Sequence, residues 1–475
     1  MVFSSSSFLF AFLPVTLALY FLPLSFKNKK RETAKKNFVL LVTSLVFYAW
    51  GEPVYVLLML ISIFFNFNIG KDIYICDKES HRRMKLFLFV AAIVFNLFVM
   101  GYFKYAGFLT ENINSIFGTA FRSRELPLPV GISFYTFQAI SYIADVYKGK
   151  VKAQKSFVPF ACYITMFPQL IAGPIVQYSD IEKQLKNRAI TPELFYEGII
   201  IFIRGLGKKV IFANTAGRIY TDILADGIGS QSAATAWIGI IAYTMQIYFD
   251  FGGYSDMAIG LGKMLGFEFR ENFNFPYRAQ SITDFWRRWH ISLSSWFRDY
   301  VYIPLGGNRK GTARTVFNIL AVWSLTGLWH GAAWNFIAWG AFYGILLIAE
   351  KYLLSGLISR LPSFINRTVT MLVVMVGWVF FSSESLIAAW DYLSVMFSFS
   401  ADTLTDSRAL YLITTNGFGL AVMCLSSFGF FDSFSKPKSK ALSTALQSVF
   451  YSAVFVISIA FLLSETYNPF LYFRF

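Results

Sequence analysis

Histidine and cysteine are scarce in this chain, with three of each among 475 residues. The cysteines, Cys76, Cys162 and Cys424, show no CxxC spacing, which argues against a disulfide framework and a thiolate site, so no metal is expected. Cys162 and Cys424 stand in apolar runs, where a free cysteine packs as a small hydrophobe. There is no GxSxG elbow, and no cysteine adjoins either histidine of the central stretch. A covalent acyl-enzyme therefore lacks a recognisable nucleophile, and direct attack by a hydroxyl is the simpler chemistry. Charged residues make up only 15% of the chain against 56% hydrophobic residues, which excludes an ordinary soluble domain and implies a polytopic membrane protein. No internal repeat or low-complexity tract marks a boundary, so residues 1–475 read as a single integral membrane domain.

The charge that is present leans one way, with 42 lysines and arginines against 27 acidic residues and a net charge of +15. In a soluble protein such an excess fits nucleic acid. Here the cations sit in short loops between apolar runs, the positive-inside pattern of a multi-pass protein, and no nucleic-acid partner is expected. The run Phe8 to Phe26 has no basic segment before it and no AxA-like cleavage site, and reads as a retained first span. Basic loops at Lys27 to Lys36, Lys71 to Lys85 and Lys148 to Lys155 fall on the cytoplasmic side with paired crossings between them, and His81, beside Arg82 and Arg83, reads as a solvated loop residue. Between the crossings Leu86 to Phe103 and Leu128 to Tyr147, the mixed segment Lys104 to Pro127 is expected as a surface helix or loop.

Phe157 to Tyr178 is interrupted by Pro159, Pro168 and Pro174, so its freed backbone groups belong inside the bundle or along a cavity. Phe195 to Asn214 carries Arg204, Lys208 and Lys209 in an apolar frame and reads as a re-entrant or interfacial helix. Trp237 to Phe267 contains YFDFGGYSDMAIG, with Asp250, Tyr254 and Asp256. A carboxylate at membrane depth costs about 2.5–3.5 kcal/mol on insertion scales, so it faces either a cationic partner such as an arginine or a polar substrate path. With the carboxyl-terminal runs, the pattern gives about eleven to thirteen membrane segments at roughly 20 residues per span.

The stretch Ser281 to Trp339 holds the other two histidines, each directly after a tryptophan, as Trp289-His290 and Trp329-His330. Helical spacing from Ser281 to Pro304 puts Trp286, Trp289, His290, Leu293, Trp296, Phe297 and Tyr300 on one face, as expected of an amphipathic helix at the membrane surface or a cavity mouth. On this reading His290 lies near the charged surface, whereas counting along Val316 to His330 carries His330 into the membrane, beside the small residues Gly331, Ala332 and Ala333. Arg287, Arg288, Arg309, Lys310 and Arg314 anchor the segment at lipid headgroups or hold the phosphates of a nucleotide-like donor. A buried imidazole stays neutral and suits proton abstraction from a hydroxyl; the plain alternative for His330 is a hydrogen-bonded packing residue.

Six blocks of this sequence resemble the membrane-bound O-acyltransferase (MBOAT) superfamily, and in particular its bacterial alginate O-acetyltransferase branch. They are PVGISFYTFQAISYIADVY (Pro129 to Tyr147), FPQLIAGPI (Phe167 to Ile175), YFDFGGYSDMAIG (Tyr248 to Gly260), the block from Asn272 to Gly311 with FWRRWHISLSSWFRDY, LTGLWHGAAWNFIAWG (Leu325 to Gly340) and NPFLYFRF (Asn468 to Phe475). They sample most of the chain beyond Lys104, while the first hundred residues match in hydropathy only. The resemblance implies an all-α bundle of membrane helices around a central tunnel, in the bacterial inner membrane, with an acyl-CoA donor entering from the cytoplasm and the acceptor from outside. It implies that His330 is the essential histidine and His290 the second polar position. Acetyl-CoA is then a substrate, with no permanently bound cofactor. The partners implied are a polysaccharide acceptor, membrane lipid and an extracytoplasmic SGNH-type acyltransferase.

The expected activity is transfer of an acyl group, acetyl by family inference, to a polysaccharide hydroxyl, directly or through that partner. His330 would act as base, with His290 positioning or polarising the reactants. Asp250, Tyr254, Asp256, Trp286, Arg287, Arg288, Arg298, Trp329 and Asn335 are candidates for the donor and substrate path. Two other classes fit the hydropathy: a transporter or flippase for lipid-linked sugars, motivated by the broken spans and buried carboxylates, and a scaffold of a secretion complex.

Overall fold

A computed structural model describes residues 1–23, 29–122, 126–171, 173–400, 403–430, 440–464 and Leu471. Of the block Asn468 to Phe475 only Leu471 falls among them, and Lys27 and Ala172 lie outside. The described elements are helices, as the hydropathy and the resemblance both required. Six are long and apolar enough to cross a membrane: Tyr55–Lys78, Arg82–Phe117, Trp334–Ile358, Ser363–Ser382, Ser407–Ser427 and Thr444–Ser464. The expected eleven to thirteen segments counted apolar runs, and several of these runs form shorter, charged or broken helices instead. The chain divides into two compact units, Met1–Phe202 with Ser255–Arg270, and Ile203–Tyr254 with Glu271–Phe475.

The first unit contains α1 (Leu13–Phe21), α2 (Lys29–Ala49), α3 (Tyr55–Lys78), α4 (Arg82–Phe117), α5 (Ile132–Tyr147), α6 (Phe157–Thr165), α7 (Phe167–Leu170), α8 (Tyr178–Lys186) and the start of α9 (Pro192–Gly207). Where a loop was allowed from Lys104, α4 runs on to Phe117, because nothing between breaks the helical pattern until Gly118 takes a left-handed φ of 63°. Asn66 of α3 and Asn96 of α4 exchange amide hydrogen bonds of 3.0 and 2.7 Å in a buried setting, satisfying both side chains against each other. Residues 132–146 of α5 are buried on every side, so this helix lies within the unit. The proline-rich run breaks at Met166 into α6 and α7, and protein groups take up the freed backbone: Phe167 N–H donates to Ser44 Oγ at 3.1 Å and Gln169 Nε2 donates to the Tyr163 carbonyl. That is the internal placement the prolines called for.

The second unit begins in the same helical path, which continues from α9 through a wide π-type turn (Lys208–Ala213) into α10 (Asn214–Ala225). The segment with Arg204, Lys208 and Lys209 is therefore part of one continuous helical stretch. Next come α11 (Ala233–Met264, whose last turns belong to the first unit), α12 (Ile282–Arg288), α13 (Ile291–Phe297), α14 (Thr312–His330), α15 (Trp334–Ala349), α16 (Ser355–Ile358), α17 (Ser363–Ser382), α18 (Leu386–Met396), α19 (Ser407–Ser427) and α20 (Lys440–Ser464). Residues 403–406 close the start of α11: Ala233 and Ala234 donate to the carbonyls of Thr403 and Leu404 at 2.8 and 3.0 Å, and Asp406 accepts from Ser232 N–H at 3.0 Å. The α14–α15 hairpin closes tightly because Gly327 meets Gly340: a Cβ on Gly340 would lie 2.5 Å from the Trp323 carbonyl.

Ser281 to Pro304 departs from the single amphipathic helix that its spacing predicts. Its indole-bearing face is buried as expected, but the helix breaks at Trp289-His290, where His290 adopts a left-handed φ of 44°. A preceding segment stabilises the break. Asn274 N–H donates to Arg288 O at 2.9 Å and Ile291 N–H to Asn272 O at 3.0 Å, so loose backbone groups at the end of α12 and the start of α13 are paired. At the other end, Glu350 accepts from Ile282 N–H at 2.7 Å and from Thr283 N–H at 3.1 Å, while Ser281 Oγ accepts from Asp284 N–H at 3.1 Å.

Candidate active site

His290 is 1% exposed, so its place is an interior corner between two short helices and not a surface-lying helix. Sequence spacing carried the face correctly but could not show the turn that drives this residue inward. Its Nδ1 lies 3.1 Å from Asn272 Oδ1, which also accepts from Ser292 N–H at 3.2 Å and Ser292 Oγ at 2.9 Å. The ring meets Phe251 edge-on at 4.7 Å. Burial pushes the pKa of His290 down, because the imidazolium loses its hydration.

His330 is the last residue of α14 and is 6% exposed. Its imidazole is walled by Trp329, Trp339 and Phe381, with ring centroids 4.9, 5.1 and 5.1 Å away and near-perpendicular planes. The wall extends through Trp286, 5.5 Å from Trp339, and Tyr343, 5.3 Å from Trp339. Trp329 stands beside both histidines, 6.0 Å from the His290 ring. The two imidazoles, 40 positions apart in sequence, thus border one indole, and both are deep in the second unit.

Asp250 is 3% exposed and forms an ion pair with Lys209 Nζ at 2.7 Å, itself 2% exposed; Lys209 donates a hydrogen bond to Asn214 Oδ1 at 2.9 Å. The other carboxylate oxygen accepts from Leu471 N–H at 2.8 Å. The cationic partner foreseen for Asp250 is therefore a lysine, supplied by the wide turn after α9, and the carboxylate also ties down a residue of the tail. Tyr254 is buried four residues further on. Asp256 is half-buried on the part of α11 that belongs to the first unit.

The basic candidates are spread along the outside of the segment. Arg287 and Arg298 are exposed, Arg298 pairing with Asp299 at 2.8 Å, and Arg288 pairs with Asp284 at 2.8 Å. Arg309, Lys310 and Arg314 are exposed as well, at the start of α14. Asn335 closes the end of α17, its Nδ2 donating to the carbonyls of Ser383 at 2.8 Å and Phe380 at 3.3 Å. Sequence reasoning missed Asn272, Ser292, Trp339 and Phe381. Asn272 had a faint signal, the first of two amides in the aromatic run NFNFPY, whereas Phe381 sits 51 positions from His330 and only folding joins them.

The model of the membrane-bound O-acyltransferase family matches residues 152–389, about half of the chain and all of the histidine region. The chain is 42% identical over 455 residues to the probable alginate O-acetylase AlgI of Pseudomonas aeruginosa, covering 94% of this chain and 85% of that protein. It is 34% identical over 426 residues to a peptidoglycan O-acetyltransferase of Helicobacter pylori, covering 83% and 80%. Against a teichoic acid D-alanyltransferase of Bacillus subtilis it is 32% identical over 269 residues, covering 53% and 66%.

Proposed function

Because the chain belongs to the membrane-bound O-acyltransferase family, we propose that it transfers an acyl group, acetyl in the first instance, to a hydroxyl of a cell-surface or secreted polysaccharide. The observation that carries this reading is the pair of buried histidines gathered around Trp329. The relatives act, by their names, on alginate, peptidoglycan and teichoic acid.

In the proposed reaction a neutral His330 takes the proton of the acceptor hydroxyl as its oxygen attacks the thioester carbonyl of an acyl-CoA. The carbon–oxygen bond forms, the carbon–sulfur bond breaks, and the thiolate leaves as CoA thiol with the proton that His330 returns. His290 holds the reactants beside it. A water-poor aromatic wall suits this transfer, since it keeps hydrolysis of the thioester from competing. The exposed cations Arg287, Arg298, Arg309, Lys310 and Arg314 supply a landing place for the phosphates of the donor.

Helix α14 links the two ends. From Thr312, next to the basic loop, to His330 it rises roughly 27 Å at about 1.5 Å per residue, close to the ~30 Å of a bilayer core. A donor whose phosphates stay at the basic face would reach His330 with an extended arm, and the acceptor would come from the opposite face. The acceptor is either the glycan itself or an extracytoplasmic acyltransferase that passes the group on, and the membrane is then the bacterial inner membrane. Mass spectrometry of glycans from cells with and without the gene tests the reading: loss of O-acyl groups with the gene supports it, and an unchanged glycan rejects it.

A further inference from the structure

The polar contacts of Asn272 bear on which nitrogen of His290 carries the proton, as does Ser292 Oγ, 3.5 Å from His290 Nδ1. Its side-chain oxygen sits 3.2 Å from the Ser292 backbone nitrogen, 2.9 Å from Ser292 Oγ and 3.1 Å from His290 Nδ1. A backbone N–H can only donate, so the amide must turn its oxygen, and not its NH2, toward this group. That same oxygen then faces Nδ1, and the contact is a hydrogen bond only if Nδ1 bears hydrogen. In the neutral ring Nε2 is left as a bare lone pair. Nε2 is buried and has no hydrogen-bond partner among the described residues. The backbone holds this arrangement at some cost, since a non-glycine residue at φ 44° lies in the strained left-handed region.

We propose that Asn272 is a positioning residue that locks His290 in the Nδ1–H tautomer, so that His290 Nε2 binds a hydroxyl of the incoming acceptor and does not polarise the thioester carbonyl. The chemistry is directional. A lone pair attracts an O–H and repels a carbonyl oxygen, whereas polarising the carbonyl would require N–H at that position. A sugar offers neighbouring hydroxyls, one to react at His330 and one to rest on His290. The identity of the bound hydroxyl rests on the acyl-transfer reading; the tautomer does not.

The chain has three histidines, so the full-length protein in detergent, labelled with 15N-histidine, gives three imidazole spin systems, and His290→Gln removes and thereby assigns one. We expect His290 to show a protonated Nδ1 and an unprotonated Nε2. Asn272→Ala should release the lock toward a mixture or the other tautomer. Asn272→Asp, which still presents an oxygen, and Ser292→Ala, which keeps the backbone N–H, should retain it. A protonated Nε2 in the unmodified protein, or a spectrum unmoved by Asn272→Ala, overturns the proposal. In cells, Asn272→Ala should lower glycan O-acylation by about tenfold or more, given that a positioned acid–base group contributes about 10²–10⁴, and Asn272→Asp should restore part of it. Full O-acylation by an Asn272→Ala protein whose lock is broken overturns the binding role. If the unmodified chain acylates no glycan, the acyl-transfer reading fails, and the hydroxyl assignment with it, while the 15N spectrum still decides the lock.

Discussion

Replacing one member of the Lys209–Asp250 pair should damage the protein more than replacing both. The two groups are 2% and 3% exposed and 2.7 Å apart, so either charge left without the other stays buried and loses its closest ion-pair contact. Removing one partner of such a pair costs about 3–5 kcal/mol, whereas exchanging both for apolar residues of similar size is often neutral or stabilising. Asp250 also accepts the Leu471 N–H, and losing that acceptor costs about 1–3 kcal/mol more. Lys209→Met should therefore lose about 3–5 kcal/mol, Asp250→Leu that amount plus the orphaned N–H, and the double variant little beyond the N–H term. Thermal unfolding of the four purified proteins in one detergent gives the cycle, with the double variant expected to melt above both singles. Singles that melt with the unmodified protein, or a double that falls by the sum of both, would show that the pair does not hold this part of the unit together.

Two further outcomes follow from close packing and capping. Gly340→Leu should force the α14–α15 hairpin apart beside His330, because even a Cβ there stands 2.5 Å from the Trp323 carbonyl; glycan O-acylation should vanish while Gly356→Leu, where a Cβ meets nothing, leaves it intact. Partial burial works against ionisation of Asp406, yet hydrogen bonds from Ala409 N–H, Thr235 Oγ1 and Ser232 N–H outweigh it and hold the carboxyl below its usual pKa. A depressed carboxyl stabilises the fold above the unfolded value of about 4 and loses that contribution as pH falls through the folded one. Asp406→Asn should thus lower the Tm at pH 7 and converge on the unmodified protein in acid; a gap that does not change with pH contradicts this.

Hydropathy and basic loops were enough to read an all-helical membrane protein, because burial in lipid leaves few other backbone solutions. The proline-broken segment was also legible, since a freed carbonyl or N–H must be paired somewhere. What spacing could not show was the kink at His290. The periodicity of Trp286, Trp289, Leu293 and Trp296 runs straight through it, and the break depends on Asn272 and Asn274, contributed by a loop that carries no helical pattern. Lys209 looked like an obstacle to a span for the same reason: its neutralising carboxylate lies 41 positions away, on α11. The His330 surroundings were half visible, with Trp329 adjacent in sequence and Trp339 and Phe381 brought in by α15 and α17.

The most direct test of the account is the O-acyl content of surface and secreted glycans in cells whose only copy of this protein carries His330→Ala, compared with the unmodified protein at equal membrane abundance. The account predicts that O-acylation falls to the level of cells lacking the gene. Retention of the unmodified level would contradict it.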